Sequence, residues 1–292
     1  MTARDILRKI PGLTPAVRWT RTKLAPLAEA NRAAGRVVIN HGVGGTTPAF
    51  PLKPGVDTEQ LAADIATRTW FHSFDFGNGI VAHGNDPSHD KTKFLGIPER
   101  LDGMSVLDIG TFDGHYAFEA ARRGAADVLA TDKFVWEWPG MTSRDNFEFV
   151  RDRLDLTVRD QVISVEDISP DTVGTFDVVF FFGVLYHSPD PLGYLKRVRS
   201  VTKRFALIET VVDMLNVDRP ALAYYPGAYL NNDASNFFGP NLPALEGLCK
   251  DAGFSRMEDL GLWRLHELEL TRGEALPTGA PASGRVVVKA WV

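Results

Sequence analysis

Cysteine is almost missing from this chain. One residue in 292, Cys249, leaves no partner for a disulfide framework and no ligand set for a cysteine-rich zinc site or an iron–sulfur cluster. Long apolar runs are missing as well: none approaches the roughly eighteen residues of a membrane-spanning helix. The first residues, MTARDILRKIPGL, carry charges throughout and contain no apolar core of a secretory signal, so a cytoplasmic protein is expected. There is no basic excess either. Thirty-two Lys and Arg stand against 37 Asp and Glu, a net charge of −5, which argues against a surface that grips nucleic acid as a whole. What is present is an ordinary globular composition, 44% hydrophobic and 24% charged, long enough for one large domain with an appendage.

The texture changes along the chain. Residues 1–36 hold eight basic residues against Asp5 and Glu29, a local charge of +6 in a helical pattern. That segment reads as a solvated face or the arm of a homodimer. Residues 37–56 are rich in Gly and Pro and read as a linker. The expected division is a basic helical extension and linker over 1–60 and a catalytic domain over 61–292. From Met104 onward, short apolar runs alternate with helical stretches. Strands are expected over 104–110, 127–132, 161–167, 176–185, 204–212 and 285–292, and helices over 115–125, 141–154, 191–201 and 241–254. Wholly apolar strands alternating with helices predict an α/β fold, a Rossmann-like doubly wound and mostly parallel sheet.

The first of these strands runs into Asp108-Ile109-Gly110-Thr111-Phe112-Asp113-Gly114 and then a helix. Such a turn needs glycine where backbone must approach a ligand and where helix packs on strand. Asp132, twenty-four residues after Asp108, ends the second strand, where an acid can accept both hydroxyls of a ribose. A dinucleotide site wants G-x-G-x-x-G, with helix amides open to a pyrophosphate. Here bulky Phe112 and acidic Asp113 stand between the glycines, and Asp108 suits a cationic ligand. The pattern points to S-adenosyl-L-methionine (SAM) rather than a nicotinamide dinucleotide.

The apolar run FDVVFFFGVL ends in Tyr186 and His187 at the sheet's carboxyl edge, where ligands bind in open α/β folds. With that run, the segments LDIGTFDGHYAFEAARRGAADVLATD, FDVVFFFGVLYHSPDP, LIET, SNFFGPN and WFHSFDFGNGIVAHG resemble the class I SAM-dependent methyltransferases of the tRNA wobble-uridine methyltransferase-like family, over roughly residues 65–292. The resemblance implies a seven-stranded sheet with an antiparallel last strand. It puts Gly110 under the methionine part of the cofactor, Asp132 on the ribose, and Glu166 or Asp167 near the adenine. It sets Tyr186 facing the transferred group and matches Arg285 to an arginine near the active site. The tRNA enzyme of that family uses carboxy-SAM and grips its extra carboxylate with a lysine upstream of the glycine loop. This chain has no lysine between Lys53 and Lys91; the corresponding stretch reads Trp70-Phe71-His72-Ser73-Phe74. A buried carboxylate without a cation is costly, so ordinary SAM is expected.

The remaining candidates follow from chemistry. O-methylation calls for a general base, and His187 is the first choice with His72 the second. Glu209, ending a strand, either orients an acceptor hydroxyl or caps a loop. Asp86, His89 and Asp90 match no standard ligand spacing, and no metal is expected. The segment 213–241 is too long for a simple connection and reads as a lid or binding wall. Its Tyr225, Asn236, Phe237 and Phe238, with Arg285, are the expected acceptor contacts. The expected function is methyl transfer from SAM to a hydroxyl of a small molecule such as a sugar or natural product; the alternative is modification of the tRNA wobble uridine.

Overall fold

A computed structural model of the chain describes residues 47–263, 270–271 and 283–292. The basic segment 1–36 and the start of the Gly- and Pro-rich stretch lie outside the described residues.

The strands are β1 (Phe74–Asp75), β2 (Val81–Ala82), β3 (Ser105–Ile109), β4 (Asp127–Asp132), β5 (Arg159–Val162), β6 (Phe176–Phe182), β7 (Thr202–Val212), β8 (Leu222–Tyr224), β9 (Phe238–Pro240), β10 (Arg256–Trp263), β11 (Leu270–Thr271) and β12 (Gly284–Trp291). The helices are α1 (Thr58–Ala66), α2 (Ser88–Lys91), α3 (His115–Arg122), α4 (Phe134–Glu137), α5 (Ser143–Arg153), α6 (Pro170–Val173), α7 (Pro191–Ser200) and α8 (Leu242–Asp251). The main sheet has the order β5-β4-β3-β6-β7-β12-β10-β11. Strands β3 to β7 are parallel to one another. The chain-final β12 runs antiparallel to both β7 and β10, so β10 shares the direction of the parallel set. Apart from the two-residue β11, this is the mostly parallel seven-stranded sheet with an antiparallel last strand.

The apolar runs exist because both faces of the sheet are covered. Successive side chains point to opposite faces. Val106, Val178, Phe180 and Leu207 pack with Leu61 and Ile65 of α1, Phe118 of α3 and Phe147 and Val150 of α5. Leu107, Val179, Phe181 and Ile208 pack with Leu195 and Val198 of α7 and Leu245 and Cys249 of α8.

Several boundaries differ from expectation. The strand expected over 161–167 starts at Arg159 and ends at Val162; Val165–Asp167 is a 3₁₀ turn, closed by the Ser164 hydroxyl donating to Asp167 at 2.8 Å. The run 176–185 leaves the sheet after Phe182, and Leu185–His187 forms another 3₁₀ turn. β10 was not legible at all: SRMEDLGLW has no apolar run because most of its described side chains are exposed or half-buried. The stretch 47–60, assigned to the linker, packs into the catalytic body. Phe50 is buried, its amide donates to Asp75 O at 2.8 Å, and Asp57 caps α1 through bonds from the Glu59 and Gln60 amides. The insertion 213–241 carries the antiparallel pair β8–β9.

Candidate active site at the carboxyl edge of the sheet

The loop after β3 is wound tightly. The amides of Gly110 and Thr111 both donate to Thr131 O, at 2.8 and 3.0 Å. Gly110 has φ +77°, and a Cβ there would lie 2.4 Å from a Val184 methyl. At Gly114, φ +93°, it would strike the Phe147 ring at 2.4 Å. Both positions exclude a side chain by backbone angle and by space. Phe112 also has positive φ; its amide donates to Asp132 Oδ2 at 3.1 Å and its carbonyl accepts from Trp136 Nε1 at 2.8 Å. Asp132 takes a second amide, from Val135, on its other oxygen at 3.2 Å.

Three buried acids result. Asp108 accepts from Thr111 Oγ1 at 2.6 Å. Asp113 turns inward and accepts the amides of Phe71 and His72, at 2.7 and 3.0 Å, so it anchors that segment beneath the loop. Burial pushes Asp108 and Asp113 up to about 7 and Asp132 up to about 6, with the Asp132 charge a lesser contribution to the first two. Such a site disfavours a pyrophosphate and favours a ligand carrying positive charge. The residues fit SAM, with its ammonium and sulfonium groups, and Asp132 ends β4 beside the loop. Asp113, which from sequence only counted against a dinucleotide, proves to be a structural anchor.

Glu166 and Asp167 follow β5 as expected and are exposed. Glu166 accepts from the Tyr194 hydroxyl of α7 at 2.5 Å, and Asp167 from Ser164.

Gly183, Tyr186, Glu209 and Arg285 come together beside the carboxyl ends of β6 and β7, as one wall of the candidate site. Arg285 grips both oxygens of the buried Glu209 carboxylate, Nη2 to Oε2 at 2.7 Å and Nε to Oε1, and its guanidinium lies 4.9 Å from the Tyr186 ring centroid. Around the Cβ position of Gly183, Arg285 Nη2, Glu209 Oε2 and the Tyr186 hydroxyl converge at 3.7, 3.8 and 3.9 Å. Burial alone would raise Glu209, but the charge and hydrogen bonds of Arg285, together with the Lys91 charge, hold the carboxyl below its ordinary value.

A second ion pair lies close enough to influence the first. Lys91 Nζ donates to Asp86 Oδ1 at 2.7 Å, while Asp86 Oδ2 accepts from the Ser88 hydroxyl and from Tyr116 at 3.3 Å. Burial opposes the charge on Asp86, yet Lys91 drives the carboxyl well below the usual range. Lys91 was outside the sequence-based site. Its one signal was a lysine five residues after Asp86 in NDPSHDK, upstream of the glycine loop. His72 lies beside this pair, buried, with burial lowering it to about 4 and no partner for Nδ1. It packs edge-on against Tyr116, ring centroids 5.3 Å apart. His83 is exposed, and His89 faces Asp75 at 3.9 Å. Among the described residues no group of three or more His, Cys, Asp or Glu is arranged to hold a metal ion.

His187 sits in the 3₁₀ turn after β6. Its Nδ1 lies 2.9 Å from Ser235 Oγ and 3.1 Å from Ser235 O, and the Ser235 hydroxyl donates to Asp233 Oδ1 at 2.7 Å. Burial lowers its pKa, partly offset by the Ser235 carbonyl and the Asp233 charge. The amide of Phe237 donates to Tyr186 O at 2.8 Å and ties the insertion to this turn. Two of the expected acceptor contacts also hold the insertion together, while Asn236 Oδ1 has no partner among the described residues. Tyr225 is buried with its hydroxyl on Asp213 at 2.8 Å, and Asn236 is buried with its amide on Leu230 O at 2.8 Å. Both pin the insertion, because a long segment must bury some apolar and amide groups to hold its shape. The half-buried Phe237 and Phe238 and the exposed Tyr224 and Tyr229 remain as surface.

A family model described as a methyltransferase domain matches residues 83–258. Among curated proteins, the tRNA U34 carboxymethyltransferase of Helicobacter pylori (strain Shi470) is 31% identical over 165 residues, 56% of this chain and 60% of that protein. The enzyme of the same name from Campylobacter jejuni subsp. doylei is 27% identical over 170 residues, 58% of this chain and 55% of that protein. The chain thus spans about 60% or less of the length of these relatives. Among solved structures, the N-terminal domain of EvdMO1, crystallised in the presence of SAH and D-fucose, has a TM-score of 0.59 at 19% identity, covering 81% of this chain and 97% of that one. At that identity the likeness is one of fold. The family match covers more than half of the sequence and includes the glycine loop, Asp132, Tyr186 and Glu209: the chain belongs to the methyltransferase-domain family.

Proposed function

We propose that this protein transfers a methyl group from SAM to a hydroxyl of an uncharged small molecule. One observation carries the reading. The wall's cation and the cation next to it each already face a carboxylate, Arg285 with Glu209 and Lys91 with Asp86. Among the described residues of this wall no unpaired positive charge is left to receive a carboxylate on the cofactor or a phosphate on the acceptor. That favours ordinary SAM over carboxy-SAM and a neutral acceptor over an anionic one.

In this reading SAM supplies an electrophilic methyl on a sulfonium, and S-adenosylhomocysteine remains once the S–CH₃ bond has broken and the O–CH₃ bond has formed. Asp132 holds the ribose and Gly110 allows the close approach of the methionine part. Tyr186 and the Glu209–Arg285 pair orient the acceptor hydroxyl above Gly183. His187 takes the acceptor proton, and Phe237 and Phe238 form part of the wall that aligns acceptor and methyl. In-line displacement depends chiefly on such alignment.

The relatives named tRNA U34 carboxymethyltransferase favour a second reading, in which a wobble uridine is the acceptor. The test is an incubation of the purified protein with methyl-labelled SAM and, in parallel, a panel of neutral hydroxylated metabolites and bulk tRNA. Mass spectrometry then identifies the labelled product. Label in a small neutral molecule supports the first reading, and label in tRNA overturns it. Retention on heparin into high salt would point the same way as labelled tRNA.

A further inference from the structure

We infer that Ser235 and Asp233, supplied by the insertion 213–241, are positioning residues that fix the tautomer and basicity of His187. The inference rests on the reading of His187 as the proton acceptor.

The hydrogen-bond geometry leaves one consistent arrangement. Ser235 O is a carbonyl and can only accept, so the Nδ1 atom 3.1 Å away carries the hydrogen. The Ser235 hydroxyl directs its own hydrogen to Asp233 Oδ1 at 2.7 Å, which leaves Oγ free to accept from the same Nδ1–H at 2.9 Å. Asp233 Oδ1 is itself held by the Ser235 amide at 2.9 Å. The opposite tautomer would set the Nδ1 lone pair against the Ser235 carbonyl and break the Ser235–Asp233 bond. With Nδ1 protonated, Nε2 carries the lone pair and is the atom able to take a proton. The second ring nitrogen's partner sets which nitrogen is basic.

Charge completes the device. The ring is faced by Asp233 through Ser235 on the insertion, by Arg285 on β12, and by Tyr186 in its own turn, ring centroids 4.2 Å apart. Arg285 opposes protonation, but its charge is balanced by Glu209. Asp233 favours the imidazolium that forms when the proton arrives. Without it, burial would leave His187 a weaker base near neutral pH. The insertion is therefore more than a connection: its docking through Phe237 N and Tyr186 O sets the base.

Nitrogen-detected NMR on full-length protein carrying ¹⁵N-labelled histidine tests this directly, with His187 assigned by the signals lost in His187→Gln. The wild type should show the Nδ1–H tautomer. Asp233→Asn keeps an oxygen for the Ser235 amide and hydroxyl but removes the charge, and should lower the His187 pKa by about one unit. Ser235→Ala removes one acceptor from the imidazolium and should lower it by less, which preserves the test should the first variant not fold. A dominant Nε2–H form in the wild type, or an unchanged pKa in the folded variants, overturns the inference. Neither result depends on turnover. His187→Ala with full methyl transfer would instead refute the base assignment while leaving the tautomer measurement intact.

Discussion

Arg285 and Glu209 are diagonal neighbours on adjacent antiparallel strands: Arg285 pairs across with Val211 and Glu209 with Val287, and the two side chains meet through two hydrogen bonds. The sheet register thus sets a planar two-bond ion pair next to Tyr186, in a place where no flexible loop has to be ordered to make it. A guanidinium fork held by both oxygens of a carboxylate has little left to offer another anion.

Glu209→Gln separates that pairing from the rest of the wall. The amide keeps one acceptor but removes the balancing charge, so Arg285 becomes an unpaired, partly buried cation. In a competition titration the wild type should bind SAM at least as tightly as carboxy-SAM. The variant should shift toward carboxy-SAM by roughly tenfold or more, since one charge-assisted hydrogen bond is worth about 1.5–3 kcal/mol. Tighter carboxy-SAM binding by the wild type would defeat the charge-balance argument.

Asp132→Ala should weaken SAM by about ten- to a hundredfold, from the loss of the charge-assisted ribose bonds. The wild type adds a pH signature. Burial raises Asp132 to about 6, so SAM affinity should fall as pH drops through 6, and this limb should vanish in the variant. Calorimetric titration between pH 5 and 8 checks both; an unchanged affinity in the variant sinks the ribose assignment.

Asp113→Asn concerns stability. Asp113 is raised from 3.8 to about 7 by burial, so the folded state holds its proton more tightly than the unfolded chain. The stability this contributes is complete below pH 4 and is lost as pH climbs through 7. The asparagine oxygen can still accept from Phe71 and His72 but does not titrate. The variant should therefore gain on the wild type between pH 4.5 and 8, by 1 kcal/mol or more. Melting curves across that range give the answer; a gap that stays constant with pH would show that Asp113 is charged in the folded protein.

What was legible in the sequence was local or periodic. β3, β4, β6, β7 and β12 are buried on both faces and so read as apolar runs, whereas β10, half covered, left no pattern. Gly110 and Asp132 belong to one βαβ unit, whose fixed geometry makes spacing informative. The other half of the site is assembled by strand order. Glu209 and Arg285 are 76 residues apart, and His187 and Ser235 are 48 apart. Nothing in the sequence near either partner marks such a pairing. The inward turn of Asp113 also escaped, because it depends on the positive φ of Phe112, an angle unusual for a residue with that side chain.

Lys91 and Asp86 supply the last test, because a buried pair behaves differently when broken than when replaced. Their side chains are only 13% and 16% exposed, so removing one charge strands the other. Lys91→Met should cost about 3–5 kcal/mol, and Asp86→Asn a comparable amount by leaving the ammonium without its anion. Lys91→Met combined with Asp86→Asn removes both charges, and the asparagine can still meet Tyr116 and Ser88. The double variant should recover most of the loss, and urea denaturation of the four proteins at pH 7 measures the coupling. Burial tends to raise Asp86, but Lys91, His72 and the Ser88 hydrogen bond together depress it further, so the pair's stability is present above about pH 4 and fades as pH falls. That acid limb should be missing from the double variant. A double variant no more stable than either single one would mean that the two charges act independently, and Lys91 would then be a free cation beside Glu209, available to an anionic ligand after all.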